Sequence, residues 1–246
     1  MPDATPPALT VVIPCRNEAR NLSFRLREVA SAMADRSYEI IVVDDGSSDD
    51  TARVIRECAL KGGIRLRHVR HDRSAGQSAA VRSGVFAASG QLVLTMDGDG
   101  QNDPTYLPRL ADMLIAAGPQ IGIVAGQRLK RTDTKLKQLA SKFANGLRQA
   151  MLKDDTRDSG CGLKAVRTEI FRALPYFDGW HRYLPALVLR EGFGVLHMDV
   201  VDRPRRHGKS NYGILDRGLR GILDLFGVWW LRRRRKVVPA VTEISQ

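Results

Sequence analysis

The chain has 246 residues and a formal net charge of +12. This length suits one large α/β domain with a small appendage, and 27% charged and 43% hydrophobic residues exclude wholesale disorder and a polytopic membrane protein. All of the excess charge lies beyond residue 100, where 26 Lys and Arg face 14 Asp and Glu. We therefore expect an anionic partner, which nucleic acid, anionic lipid or a phosphorylated substrate would satisfy. Three cysteines without metal-ligand spacing favour the cytosol, and residues 1–7 do not resemble a secretion signal.

Short apolar runs alternate with helical lengths through the first hundred residues. Runs rich in Val, Ile and Leu that alternate with helices predict βαβ units and a mostly parallel, Rossmann-like sheet. The predicted strands are Leu9–Pro14, Tyr38–Val43, Ile64–Val69 and Gln91–Met96, and the predicted helices are Ala19–Ala34, Asp49–Lys61 and Ser78–Ala88. Ligands of such sheets bind beyond the carboxyl ends of the strands. Polar residues lie at these ends, at 14–18, 44–47 and 97–99.

The same alternation continues through the second half. The predicted elements are helices over Thr105–Ala117, up to Leu152 and over Arg182–Arg190, with strands over Ile121–Ala125 and Val195–Val201. A basic stretch, Arg128–Lys142, and a glycine-bearing segment, Ser159–Leu163, lie between them. We find no repeat and no long linker. The chain is therefore expected to be a single α/β domain over residues 1–212, followed by an amphipathic, polybasic tail over 213–246.

Two carboxylates, Asp97 and Asp99, follow an apolar run and lie where the backbone turns. Hard oxygen ligands in this position could hold Mg²⁺ or Mn²⁺, and Gln101 could add another oxygen. Such a metal would stabilise a leaving nucleoside diphosphate. A plain surface turn is the alternative, because a lone Asp-x-Asp is common.

Asp44 and Asp45 end a second predicted strand, just before Gly46 and Ser47. Carboxylates in this position suit hydrogen bonds to a base edge or to ribose hydroxyls. They could equally start the next helix, because Ser47–Asp50 is rich in helix-capping residues. The glycine patterns of dinucleotide sites and P-loops are absent after the first strand, which argues against NAD and against ATP hydrolysis.

Six ordered motifs together resemble the family 2 glycosyltransferases, within them the dolichol-phosphate mannosyltransferase or polyprenyl-phosphate glycosyltransferase branch. The motifs are Val11–Glu18, Ile41–Ser47, Gly76–Gly84, Asp97–Pro104, Ser159–Gly160 and Arg205–Ser210. The resemblance covers residues 9–213 and implies a GT-A type fold, with one Rossmann-like, mostly parallel sheet and flanking helices.

The resemblance also implies roles for individual residues. The donor nucleotide would contact Pro14, Asn17, Glu18, Gly98 and either Asp44 or Asp45. The metal would be held by Asp97, Asp99 and Gln101, of which Asp97 also belongs to the donor site and Asp99 to the catalytic set. Arg206 and Lys209 would neutralise the donor diphosphate and so share in catalysis. The acceptor phosphate would contact Arg128, Lys137 and Ser141. Apart from the resemblance, the pair His181 and Arg182 could bind a phosphate or an acidic sugar, and a helix start with a packed Trp180 is the alternative.

Three positions depart from the family pattern. The family often has arginine where this chain has Lys137, so the charge stays but the bidentate geometry is lost. An aromatic residue is common at Arg16, which blurs base recognition. Alanine is common at Gly98, a conservative change.

The acceptor chemistry explains why no general base is obvious. A lipid phosphate is already anionic near neutral pH and can attack unaided, whereas a hydroxyl acceptor needs a base. Asp158 lies where hydroxyl-using relatives place that base, so transfer to a saccharide hydroxyl is the alternative activity. A nucleic-acid-binding protein would fit the charge, but aromatic residues are few and no binding motif appears.

The C-terminal segment is amphipathic. Apolar residues of Ile214–Leu231 recur near helical spacing with charges between them, and Trp229 and Trp230 precede the basic run Arg232–Lys236. Charges interrupt the segment too often for a bilayer span, which needs roughly 20 largely apolar residues. We expect a helix at the interface of an anionic leaflet. An ordinary packed helix with a solvated tail is the alternative.

The resulting hypothesis is an inverting, metal-dependent transferase. It would move a sugar from a UDP- or GDP-sugar to a polyprenyl phosphate of the dolichyl or undecaprenyl type. We expect it to act as a peripheral protein on the cytosolic face of a membrane, without a transmembrane helix and without nucleic acid, and a membrane-protein partner is possible. Its product would supply a lipid-linked sugar for cell-envelope glycan or lipopolysaccharide modification.

Overall fold

A computed structural model describes residues 7–129, 146–204, 214–237, 239 and 242, with the backbone alone for 214–220. The strands are β1 (Leu9–Cys15), β2 (Tyr38–Asp44), β3 (Leu66–Arg70), β4 (Leu92–Thr95), β5 (Ile121–Arg128), β6 (Lys164–Arg167) and β7 (Gly194–Val200). The helices are α1 (Ala19–Ala32), α2 (Thr51–Leu60), α3 (Gln77–Ala87), α4 (Tyr106–Ala116), α5 (Thr168–Ala173), α6 (Leu184–Arg190) and α7 (Ile214–Arg233). Residues 146–152 are also helical, and Trp180–Arg182 form a 3₁₀ turn.

The described strands form one seven-stranded sheet in the order β3-β2-β1-β4-β6-β5-β7. β1 pairs in parallel with both β2 and β4, and β5 pairs in parallel with β7. β6 runs antiparallel to its two neighbours, β4 and β5. The prediction of a mostly parallel α/β sheet is therefore confirmed, although β6 and α5 were not predicted. β6 has only four residues, with Lys164 and Arg167 at its two ends, and this is too short and too polar for an apolar pattern.

The two faces of the sheet are each covered by helices. Alternate residues of β1 divide between the faces: Val11 and Ile13 pack with α1, α2 and α4, whereas Val12 packs with α3, α5, α6 and α7. Gly84 of α3 allows a close approach, because a Cβ there would lie 2.4 Å from a methyl carbon of Val12. Because β1, β2 and β4 are parallel, the polar residues that follow them lie together at the carboxyl ends of these strands.

Helix α7 has two apolar sides. Leu225 and Val228 are buried against the domain, whereas Ile222, Leu223, Phe226 and Trp230 are 48–64% exposed. The helix therefore packs on the domain, as in the alternative considered for it, and still presents apolar residues to solvent. None of the helices that the structure describes combines the length and apolar composition needed to cross a bilayer.

Candidate functional site

The loops that follow β1 and β2 are joined by hydrogen bonds. Cys15 at the end of β1 lies beside Asp44 at the end of β2. Beyond them, the backbone N–H of Asn17 donates to Ser47 Oγ at 2.9 Å, and that of Glu18 donates to Thr51 Oγ1 at 3.0 Å. The predicted donor residues Asn17, Glu18 and Asp44 therefore share one edge of the sheet.

Asp45 is fully engaged with the loop that precedes α3. Its Oδ1 accepts from the backbone N–H of Ala75 at 2.8 Å and contacts Nδ1 of His71 at 2.8 Å. Its Oδ2 accepts from Ser74 Oγ at 2.6 Å and from the backbone N–H of Gly76 at 2.9 Å. Burial raises the pKa of Asp45, but these hydrogen bonds outweigh burial and hold the pKa below its usual value. Both oxygens of Asp45 are thus occupied by the protein.

Asp44 differs from its neighbour. Its Oδ1 accepts from the backbone N–H of Ser47 at 2.8 Å, while its Oδ2 is buried and has no hydrogen-bond partner among the described residues. Two basic side chains lie near Oδ2, with Nε of Arg70 at 3.6 Å and Nε2 of His68 at 3.7 Å, and burial lowers the pKa of His68. The start of α2 uses neither carboxylate, because Asp49 accepts from the Thr51 N–H at 3.0 Å. Asp44 therefore retains an unfilled acceptor.

The predicted metal residues lie on the loop after β4. Asp97 Oδ1 accepts from Gln77 Nε2 at 2.7 Å, and Asp99 Oδ1 accepts from the backbone N–H of Gln101 at 3.1 Å. Burial, followed by the charge of Asp99, raises the pKa of Asp97 to about 6. A divalent cation would relieve this repulsion, and oxygen donors suit Mg²⁺ or Mn²⁺.

The protein side chains at this loop do not complete the coordination of a metal ion by themselves. Among the residues that the structure describes, no three His, Cys, Asp or Glu side chains converge on one point. Asp97 and Asp99 therefore fit a cation that completes its coordination with water and substrate phosphates, as Mg²⁺ usually does. The part assigned to Gln101 remains a prediction.

Two arginines that were not expected in this role hold the metal loop in place. Buried Arg25 donates from Nη1 to the Asn102 carbonyl at 2.8 Å. The backbone N–H of Arg203 donates to the Gln101 carbonyl at 2.7 Å, and its guanidinium pairs with Asp103 at 2.8 Å. The sequence places both in charged stretches without indicating the burial of Arg25 or the partners of either residue.

A cavity of about 370 Å³ opens beside Asp97. Its lining includes Lys164, which was not predicted, together with five residues named as site candidates: Pro14, Asp97, Arg128, Asp158 and His181. The segment that contains Gly162 packs closely here, because a Cβ on Gly162 would lie 2.5 Å from Asp97 Oδ2. Only glycine fits at this position without displacing Asp97.

Arg128 and Asp158 form an ion pair on the cavity wall. Arg128 Nε and Nη2 donate to the two oxygens of Asp158 at 2.5 and 2.8 Å, and Nη1 lies 3.4 Å from Asp202. The hydrogen bond to Asp158 raises the pKa of the Arg128 guanidinium further. The predicted acceptor cation and the alternative base are therefore bound to each other.

The turn before α6 combines both expectations made for it. Trp180 is buried and donates from Nε1 to the Ser78 carbonyl at 3.1 Å, while His181 and Arg182 line the cavity. His181 Nδ1 lies 2.7 Å from Ser78 Oγ, and burial lowers the pKa of His181 to about 3. His181 is therefore neutral near pH 7. Four predicted site residues lie outside the described residues: Lys137, Ser141, Arg206 and Lys209.

Comparison with known proteins gives consistent matches. The model of the family described as "Glycosyl transferase family 2" matches residues 10–174. Undecaprenyl-phosphate 4-deoxy-4-formamido-L-arabinose transferase of Edwardsiella ictaluri is 34% identical over 209 residues, which are 84% of this chain and 63% of that protein. Dodecaprenyl-phosphate galacturonate synthase of Rhizobium johnstonii is 35% identical over 230 residues, 92% of this chain and 67% of that protein. The chain thus spans about two thirds of the length of these relatives.

Solved structures share the fold at low sequence identity. Glucosyl-3-phosphoglycerate synthase from Mycobacterium tuberculosis, in complex with Mn²⁺, UDP and phosphoglyceric acid, superposes with a TM-score of 0.68 at 20% identity and covers 94% of this chain and 80% of that one. Mannosyl-3-phosphoglycerate synthase from Rubrobacter xylanophilus superposes with a TM-score of 0.68 at 19% sequence identity. The match covers 93% of this chain and 74% of that one. The predicted GT-A type fold is confirmed.

Proposed function

The chain belongs to glycosyl transferase family 2, and we propose that it transfers a sugar from a nucleotide-sugar donor to the phosphate of a polyprenyl lipid. The two curated relatives described above both carry a polyprenyl phosphate in their names. The observation that carries the proposal is the ion pair between Arg128 and Asp158, because it bears on the choice of acceptor.

Asp158 is poorly suited to serve as a general base. Both of its oxygens accept from Arg128, and Oδ1 also accepts from the backbone N–H of Gly160 at 3.1 Å. Paired cations stabilise the ionised form of a carboxylate and so weaken it as a proton acceptor. A hydroxyl acceptor depends on such a base, whereas a lipid phosphate does not. The geometry therefore favours the phosphate acceptor over the saccharide hydroxyl.

The transfer itself needs no proton movement. An oxygen of the lipid phosphate attacks the anomeric carbon of the sugar, and a new carbon–oxygen bond forms. The bond from that carbon to the donor diphosphate breaks, and the electron pair leaves with the diphosphate. Attack from the opposite side inverts the configuration at the carbon.

We assign the donor side to the strand-end residues. The base contact is assigned to the pair Asp44 and Asp45, because Asp44 Oδ2 has no hydrogen bond but is buried, and both oxygens of Asp45 are occupied by the protein. Pro14, Asn17, Glu18 and Gly98 would form the rest of the donor surface, and Arg206 and Lys209 would neutralise the diphosphate. Either UDP or GDP satisfies this assignment.

The metal belongs to the same site. Asp97 and Asp99 would hold Mg²⁺ or Mn²⁺, with Gln101 as a further ligand. When bound, the cation supplies positive charge that stabilises the departing diphosphate. Arg203, which pairs with Asp103 and bonds to the Gln101 carbonyl, anchors the chain just before Arg206 and Lys209.

We place the protein at a membrane surface. Ile222, Leu223, Phe226 and Trp230 follow helical spacing on one side of α7, and all four are exposed. The helix ends in Arg232 and Arg233, and apolar residues beside cations suit an anionic leaflet.

The three cysteines are free thiols, which suits the cytosolic side. There the lipid-linked product would serve cell-envelope glycan or lipopolysaccharide modification.

The test compares two acceptors that differ only in the phosphate. Full-length protein, Mn²⁺ and a panel of nucleotide sugars are incubated with polyprenyl phosphate or with the matching polyprenol. We expect a glycosylated lipid from the phosphate alone, and Asp158→Asn should retain measurable turnover. Product from the polyprenol that disappears in Asp158→Asn would support the hydroxyl acceptor and contradict the proposal.

A further inference from the structure

Three cations line the cavity beside Asp97, and they differ in how far their charge is compensated. Arg128 is paired with Asp158 and lies near Asp202. Lys164 and Arg182 have no comparable partner. Among the cavity-lining residues that the structure describes, these two are the cations left without an ion pair.

Lys164 is a buried lysine with spare hydrogen-bond donors, and burial lowers the pKa of its ammonium group. It is the first residue of β6 and only 5% exposed. Its ammonium donates to the Cys161 carbonyl, which is its only hydrogen-bond acceptor in the described part of the chain. A lysine ammonium has three N–H groups, so two remain unused. A buried charge in this state is costly unless an anion or further acceptors reach it.

Arg182 approaches the same cavity from a fixed turn. The turn is held by Ser78, whose Oγ accepts from the backbone N–H of Gly179 at 2.8 Å and whose carbonyl accepts from Trp180 Nε1 at 3.1 Å. The guanidinium of Arg182 makes no hydrogen bond or ion pair with any residue that the structure describes. A planar guanidinium carried on a fixed turn can bind phosphate oxygens in a bidentate manner.

We propose that Lys164 and Arg182 form an anion subsite that binds the phosphate of the lipid acceptor, beside Arg128. This inference rests on the proposed function and extends its acceptor site to two residues from β6 and the 3₁₀ turn. A phosphate monoester carries up to two negative charges and several acceptor oxygens, which match two basic side chains that make no ion pair with the residues the structure describes. The donor diphosphate has its own expected partners in the metal, Arg206 and Lys209. A neutral sugar hydroxyl would leave both charges unpaired.

Equilibrium binding on the full chain tests the subsite. The probes are farnesyl phosphate, farnesol and UDP with Mn²⁺, and the variants are Lys164→Met and Arg182→Gln. Arg53→Gln is the matched control, because Arg53 is an exposed cation of α2 that pairs with Asp50 and Glu57. Each site variant should weaken farnesyl phosphate binding by about tenfold or more while UDP binding and the control stay unchanged.

Each other outcome has a defined meaning. Unchanged farnesyl phosphate binding in Arg182→Gln, a partly exposed position where folding is not at stake, would overturn the subsite. Equal loss of UDP and farnesyl phosphate binding in a folded variant would assign the cavity to the donor diphosphate and also overturn it. If the wild type binds farnesyl phosphate no better than farnesol, the proposed phosphate acceptor itself fails, which is distinguishable from failure of the subsite alone.

Discussion

Replacing Asp45 with asparagine tests how the donor edge is built. The side chain accepts four hydrogen bonds from residues 71–76. In asparagine the amide oxygen can take the place of Asp45 Oδ1. The amide nitrogen then takes the place of Oδ2, where it faces two hydrogen-bond donors, Ser74 Oγ and the backbone N–H of Gly76. The Ser74 hydroxyl can rotate away, whereas the N–H of Gly76 cannot. One orphaned buried N–H and the lost charge should together cost about 2–4 kcal/mol in the free energy of unfolding.

Denaturant unfolding across pH checks this prediction. Because the folded-state pKa of Asp45 is depressed, its contribution is complete above the unfolded value of about 3.9 and is lost as the pH falls toward the folded value. The gap between wild type and Asp45→Asn should therefore narrow as the pH falls below about 4. Asp72→Asn, an exposed neighbour, is the control. A gap no larger than that of the control would show that Asp45 does not stabilise the loop before α3.

Three further predictions concern the metal, the cavity wall and the membrane surface. Asp99→Asn should keep the fold and lose about 100-fold or more in turnover; normal rates in both this variant and chelator-treated wild type would remove the metal assignment. Gly162→Ala should weaken Mn²⁺-dependent UDP binding, because its Cβ would lie 2.5 Å from Asp97 Oδ2, whereas Gly146→Ala, with nothing within 4 Å, should not. Trp230→Ser should reduce co-sedimentation with anionic vesicles across a salt series, and a loss no larger than that of exposed Leu60→Ser would exclude α7 as the anchor.

The order of elements and the polar edge were predictable from the sequence. Buried parallel strands give continuous apolar runs, and the runs that form β1, β2 and β4 end directly before polar residues. Asp97 and Asp99 could therefore be assigned to a strand end. β6 could not, because Ala165 and Val166 are its only apolar residues and antiparallel pairing leaves no trace in so short a run.

The individual roles within the site depended on tertiary contacts. Asp44 and Asp45 are adjacent and chemically identical, yet only the structure shows that the loop before α3 occupies Asp45 and leaves one oxygen of Asp44 without a hydrogen bond. Asp158 could be read as a base until its pairing with Arg128 was seen. The sequence does not single out Lys164, because most lysine side chains in folded proteins are exposed.

The α7 helix illustrates the same limit. Its spacing predicted one apolar side, and the charges between the apolar residues suggested a peripheral tail. The structure instead uses Leu225 and Val228 for packing and leaves Phe226 and Trp230 exposed. Truncation of the tail would therefore disturb the core, and substitution of exposed residues such as Trp230 is the cleaner test of membrane binding.

The phosphorus count of the lipid product shows which atom of the acceptor receives the sugar. Polyprenyl phosphate carrying a labelled phosphate is incubated with the full chain, Mn²⁺ and the nucleotide sugar that supports turnover, and the lipid product is measured by mass. The account predicts a sugar joined through a single phosphate, with the label retained and free nucleoside diphosphate released. A product with two phosphates, or a glycosylated lipid without the labelled phosphate, would contradict it.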